Sequence, residues 1–292
     1  MRSTWILGAL LAAGLAVMTI AAEQARLRRD IPAEGVRRLT MELQVGAAEL
    51  KLASHKGPPL VRLDIGHSAG QAPRIDFSKN GGEGHLSVRS SHEDGAGFSI
   101  LGGRKNQPLK DAWAISISRD QPCVLDVEFG LGSGSADFGG LNLEELKFAT
   151  GLSDVELNFS LPCAGTARRV ELATGLGSME VRGLSNLRMG QLQFAGGLGS
   201  AVLDFSGAFR QNLEVALDVG MGSLDLKVPE NMGVKIRHDD NFLSSHEFDR
   251  LERTSSDTWY STNWRDGPGN LSFQLSVGMG SVDLEWIGGK KK

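Results

Sequence analysis

The sequence predicts an all-β fold, a single-stranded solenoid of stacked rungs with a repeat of 21–24 residues, and three observations predict it. An apolar strand, a Gly-[Leu/Met]-Gly-Ser corner and a second apolar strand recur seven times. The cleanest copies are LEVALDVGMGSLDLKV, ending at Val228, and LSFQLSVGMGSVDLEW, ending at Trp286. Taking the first corner glycine as zero aligns Gly46, Gly130, Gly151, Gly175, Gly197, Gly220 and Gly278, and the five from Gly130 to Gly220 lie 21, 24, 22 and 23 residues apart. That spacing falls in the range of stacked repeat arrays. The third observation is compositional: 38 of 292 residues are glycine, helix-period stretches are scarce, and strand-sized runs alternate with Gly, Asn, Asp and Ser turns.

Taken in order, the chain opens with a targeting segment at 1–22. Arg2 precedes the uncharged run WILGALLAAGLAVMTIAA, whose 18 residues stand between a signal-peptide core and a membrane span. The Ala-rich run and the small residues Ala21 and Ala22 favour cleavage after Ala22; a retained N-terminal anchor is the alternative. Either way the chain is exported, to the periplasm or cell surface. Residues 23–35 read as a linker, 36–287 as one β-repeat domain, and 288–292 as a basic tail ending in Lys290, Lys291 and Lys292.

Within the repeat domain, positions −5, −3 and −1 before each corner are mostly apolar, as in Met41, Leu43 and Val45, or Leu125, Val127 and Phe129. Apolar residues resume at +4, +6 and +8, as in Val155, Leu157 and Phe159, or Ala201, Leu203 and Phe205. Period two on both sides means half-buried strands with one inward face. The Leu or Met at +1 is expected to plug the corner. Glycine at zero and +2 fits a positive φ, or a close approach of stacked chains that a Cβ would obstruct. Since one such unit cannot cover its own apolar face, neighbours must stack on it. The phase alone leaves one alternative, a four-residue hairpin pairing −1 with +4.

Irregular stretches mark where function is added. Residues 89–111 (RSSHEDGAGFSILGGRKNQPLKD) read as a polar loop. Residues 241–269 interrupt the repeat and carry Trp259, Tyr260 and Trp264, a candidate interaction loop or a cap over the open end of the stack.

Few motifs suggest chemistry. GHSAG places Ser68 between two glycines after a strand, as in a hydrolase elbow, but QAPRIDF follows where a helix is required, so a Gly/Ser turn is the expectation and a serine hydrolase using Ser68 only a remote alternative. GLGSGS at Gly130 lacks the third glycine and the helix of a dinucleotide loop. His238, Asp239, Asp240, His246, Glu247 and Asp249 cluster without the spacing of a compact zinc site. No catalytic residue, cofactor or metal is therefore expected, and the chain is read as not an enzyme. Cys123 and Cys163 are the only cysteines and can pair in an exported protein. Without residues 1–22 the charge is 30 basic against 35 acidic residues, about −5, which argues against a nucleic-acid surface.

The series from DAWAISISRDQPCVLDVEFGLGSGSADFGG onward, with VGMGSLDLKVPENMGVKI and the final LSFQLSVGMGSVDLEWI, resembles the toast-rack repeat domain. That domain is similar to the C-terminal part of LiaF-like cell-wall-active antibiotic response proteins and to β-strand-repeat putative adhesins. The resemblance implies a right-handed β-helix or a related sandwich in a bacterial cell envelope, with no catalytic residue to transfer. It implies an adhesin-like interaction scaffold for an envelope protein or polymer. The alternative is an envelope-stress accessory that binds a membrane sensor. Membrane contact is expected only through the N-terminal segment, if it is retained.

Overall fold

The structure is a computed structural model that describes residues 24–91, 111–238 and 244–288. The targeting segment, most of the 89–111 loop, residues 289–292 of the basic tail, Asp239 and Asp240 lie outside the described residues. In chain order the strands are β1 (Gln24–Ile31), β2 (Arg38–His55), β3 (Val61–Ser68), β4 (Arg74–Asn80), β5 (Glu83–Arg89) and β6 (Ala112–Ser118). They continue as β7 (Pro122–Asp137), β8 (Asn142–Asn158), β9 (Thr166–Ala167), β10 (Arg169–Arg182), β11 (Arg188–Met189) and β12 (Gln191–Asp204). The series closes with β13 (Leu213–Pro229), β14 (Gly233–His238), β15 (Ser244–Phe248), β16 (Leu251–Arg253), β17 (Thr258–Ser261) and β18 (Asn270–Ile287).

Seven long strands, each running through its corner glycine, stack in the order β2–β7–β8–β10–β12–β13–β18. Pairing is parallel on both sides of the corner: Leu217 lies opposite Leu275, and Leu224 opposite Val282. A hairpin joining −1 to +4 would need antiparallel partners within one repeat, so the parallel register through every corner makes the fold a solenoid. Each rung has a first arm before the glycine and a second arm after it. Return segments complete the turn, carrying the small β9–β11 pair and a 3-10 turn at Leu184–Asn186.

The alternation read from sequence is the packing observed. Met41, Leu43, Val45, Leu125, Val127, Phe129, Val155, Leu157 and Phe159 are buried, in one cluster spanning the stack. Phenylalanines link the arms to the return side: Phe205 meets Phe273 edge-on at 5.4 Å, and Phe138 lies 5.8 Å from Phe159. Burying each such side chain contributes roughly 1.5–3 kcal/mol.

The corner glycines separate into two kinds. Those at zero form a column in which a Cβ on Gly130 would sit 2.5 Å from the Gly46 carbonyl oxygen, and one on Gly278 2.6 Å from that of Gly220. Their φ is not positive, so at Gly220 and Gly278 the requirement is close approach alone. At +2, Gly132, Gly177, Gly199, Gly222 and Gly280 have φ of 123–151°, a region that L side chains rarely adopt. Ala48 and Ser153 take the same place in the two rungs with ordinary φ, and so tolerate a side chain.

Two expectations are corrected. Residues 24–31 are not a linker: β1 pairs antiparallel with β3 along its whole length, from Gln24 opposite Ser68 to Ile31 opposite Val61. Its charged residues face solvent while Ile31 is buried, so the strand reads as polar tail in sequence. The +1 residues do not plug the corners either. Leu152, Leu176, Leu198, Met221 and Met279 are 40–47% exposed. The chain bends so tightly at the glycine that its next side chain is thrown to the convex, outer side.

Both ends of the stack are closed by partial rungs. β5 and β6 pair with the two arms of β2, and β14 and β15 with the two arms of β18. β18, last in sequence, is thus intercalated between β13 and the β14–β15 rung, so the segment that interrupts the repeat is itself a rung lacking the glycine corner. Antiparallel strands cover these rungs: β4 on β5, β3 and β1 on β6, and β17 and β16 on β14. Such covering blunts open edges that would otherwise template further pairing.

Candidate interaction surfaces

The aromatic segment sits on the terminal rung, and strand alternation divides its three rings between two tasks. In β17, Trp259 lies opposite Ile236 of β14 and turns inward, 5% exposed. It packs edge-on to His246 at 5.1 Å and Phe248 at 5.3 Å, both from β15, with the Arg253 guanidinium 4.9 Å over its ring. Trp259 therefore caps the core at the point where the two arms of the last rung meet. Tyr260, one residue on, faces the other way and rests against Trp264, 5.7 Å between ring centres. Both are half-buried, and the Lys235 ammonium lies 5.8 Å from the Tyr260 ring. Aromatic faces beside a cation, Tyr260 on a paired strand and Trp264 in the turn after it, suit recognition of a polar or aromatic partner.

The described members of the histidine-acid cluster do not converge. His238 is buried, and its ring stands 5.5 Å from that of His246, which stacks on Phe248. Glu247 and Asp249 alternate outward, away from His246. Among the described residues no three His, Cys, Asp or Glu side chains come together as metal ligands.

Ser68 ends β3 and enters a turn closed by Gln71 N–H donating to its carbonyl at 3.0 Å. Its backbone N–H and its hydroxyl both donate to the Asp111 carboxylate, at 3.0 and 3.2 Å, tying this turn to the start of β6. The neighbouring His67 ring is engaged with the Ser68 backbone oxygen at 3.0 Å. Serine beside carboxylate, with the imidazole turned to the backbone, holds a turn in place and does not form a nucleophile–base pair.

Cys123 and Cys163 are buried free thiols that no bond joins. Burial, with the neighbouring Cys163 adding to it, pushes the Cys123 thiol up to about 12; burial likewise raises Cys163 to about 11. Thiols of this kind are inert.

The surface that sequence reasoning missed is the outer edge of the corners. Parallel pairing places Leu131, Leu152, Leu176, Leu198, Met221 and Met279 directly opposite one another in successive rungs. The result is an outward apolar ridge. Beside its N-terminal end opens a shallow hollow of about 410 Å³ lined by Gln44, Gly46, Ser90, Glu128 and Ala149 among others. A signal for the ridge was present. Inward positions −1 and +4 are five apart, an odd interval, so the two-residue alternation slips once inside the corner and the +1 side chain is free to face out.

A family profile described as the N-terminal domain of toast_rack, DUF2154, matches residues 20–182. A search of curated proteins found no match. Among solved structures, a putative cell adhesion protein from Clostridium sporogenes aligns at 15% identity with a TM-score of 0.49, covering 90% of this chain and 100% of that one. A putative adhesin from Bacteroides fragilis aligns at 14% identity with a TM-score of 0.38, covering 90% and 97%. One from Parabacteroides distasonis aligns at 9% identity with a TM-score of 0.31, covering 91% and 98%.

Proposed function

The chain belongs to the toast-rack family, and from that premise we propose that it is a non-enzymatic, adhesin-like scaffold of the cell envelope, which binds an envelope protein or polymer at its capped end. The observation that carries this reading is the Tyr260–Trp264 pair. It is half-buried, and it stands outside the packing that Trp259 already completes. Rigid aromatic side chains bind at low entropic cost, which is why they dominate recognition surfaces. Export through the segment 1–22 supplies the location, and the closed, continuously packed stack supplies stiffness.

The double variant Tyr260→Ala, Trp264→Ala is expected to melt with the parent and to recover markedly less partner in capture from isolated envelopes. Trp259→Ala is expected to lower the melting temperature, since removing a buried aromatic from a core costs about 3–5 kcal/mol. Undiminished capture by the double variant would refute the aromatic pair as the binding surface.

A further inference from the structure

The corner ridge is one side chain wide and, at the spacing of paired strands, about 24 Å long from Leu131 to Met279. Its flank on the second arm carries hydroxyls at five positions, Ser133, Ser178, Ser200, Ser223 and Ser281. A row of exposed Leu and Met runs through the central rungs without a break, and contiguous apolar patches of this kind are often functional.

The position of the N-terminal segment says what it contacts. Arg26 of β1 lies opposite Gly66, Gly66 opposite Ala112, and Ala112 opposite Glu49 of β2. Two antiparallel pairings in succession make β1 run parallel to β2. Gln24, two residues before Arg26, therefore falls in the same transverse row as Ala47, two residues before Glu49. Ala47 is in turn opposite Leu131, the first ridge residue. The chain thus enters the fold at the corner edge, in line with the ridge and about 19 Å from its near end. The segment arriving there is the uncharged run 5–22, joined to β1 by Glu23 alone. Arg26 and Arg28 stand just inside this entry point, 63% and 70% exposed and both paired with the Asp64 carboxylate.

On the alternative in which segment 1–22 is retained, we infer that the ridge is a lipid-facing edge, laid against the bilayer that anchors the chain. The ridge exposes on the order of 400 Å² of apolar surface, about half of what each partner buries in a stable protein interface. A second copy of the chain would gain too little from it. A bilayer already joined to the same edge needs far less affinity, because the tether keeps the ridge at high effective concentration over the lipid. Leu and Met then enter the interfacial region while the flanking serines meet the headgroups. The inference shares with the scaffold reading only the envelope location; partner capture at Tyr260 and Trp264 does not bear on it.

The test uses the full chain in phosphatidylcholine–phosphatidylglycerol vesicles. Leu198→Cys, Met221→Cys and, as a control far from the corner, Glu285→Cys are each labelled with an environment-sensitive fluorophore. The native thiols are buried and stay unlabelled. Nitroxide placed on the lipid headgroups is expected to quench the labels at 198 and 221 at least threefold more than the label at 285. Equal quenching at all three positions overturns the inference. So does a label shielded from both nitroxide lipid and aqueous iodide, which would mean that protein and not lipid covers the ridge. Label–label energy transfer that survives dilution in lipid would mean a second copy does, and overturns it as well. Protein recovered from its own membranes beginning at Glu23 would have no tether and would also refute it. The replaced side chains stand outside the core, so the urea midpoints should match the parent; Ser223→Cys reads the same edge should either variant melt early.

Discussion

Replacing Gly222 with alanine should be among the most damaging single-methyl insertions available in this protein. Gly222 sits at +2 in β13, between Gly199 and Gly280, with φ of 151°. An added Cβ would fall inside the van der Waals sphere of the Gly199 carbonyl oxygen. Holding alanine in that backbone region costs about 1–3 kcal/mol. Moving the strand away to relieve the contact weakens ladder hydrogen bonds worth about 1 kcal/mol each. The sum is about 2–5 kcal/mol. Gly278, whose φ is not positive and whose Cβ would sit 2.6 Å from the Gly220 oxygen, carries only the second cost, about 1–2 kcal/mol. Gly190 is the control. Nothing lies within 4 Å of its Cβ position and its φ is not positive, so alanine there should be neutral or stabilise by up to about 1 kcal/mol. Urea unfolding followed by far-UV circular dichroism should rank the midpoints Gly190→Ala, parent, Gly278→Ala, Gly222→Ala from highest to lowest. With a slope of about 3 kcal/mol/M, the Gly222 variant should unfold roughly 1 M before the parent. If Gly222→Ala and Gly190→Ala unfold together, stacked carbonyls do not explain the glycine columns.

Asp225 lies opposite Asp283 in the adjacent rung, and burial followed by that like charge raises its pKa. Because the folded state holds this proton more tightly than the unfolded chain, the group favours folding at acidic pH, and that advantage is lost as pH rises through the raised pKa. Asp225→Asn should therefore raise the urea midpoint at pH 7 by an equivalent of about 0.2–1 kcal/mol, at the lower end because the site is half-exposed, and should bring no gain below the carboxylate range. A variant less stable than the parent at pH 7 would refute this. For the cysteines, an aromatic disulfide reagent at pH 8 should find no reactive thiol in the folded protein and two after unfolding in urea, given values near 12 and 11. Two fast equivalents in the folded state would contradict the burial, and none after unfolding would mean the residues are joined.

Local signals in the sequence were enough to determine the rung and its inward face. The period-two pattern around Gly130 or Gly220 depends only on neighbouring residues and the pleat of the strand, so Leu125, Val127, Phe129, Leu224 and Leu226 could be assigned to the core directly. The glycine column was legible for a similar reason, since only repetition at one phase brings seven glycines to one line. The tertiary structure alone decided which rung neighbours which. The last strand in the chain slots between β13 and β14, because that position pairs both of its arms and lets the irregular rung carry the cap. It also decided the direction of side chains at a bend. Leu198 and Met221 are apolar whether they point in or out, and the sharp turn at the glycine sends them out. Trp259 and Tyr260, adjacent and both aromatic, differ only in which face of β17 meets the core, a choice made by β14 and β15 pairing with a strand more than twenty residues later.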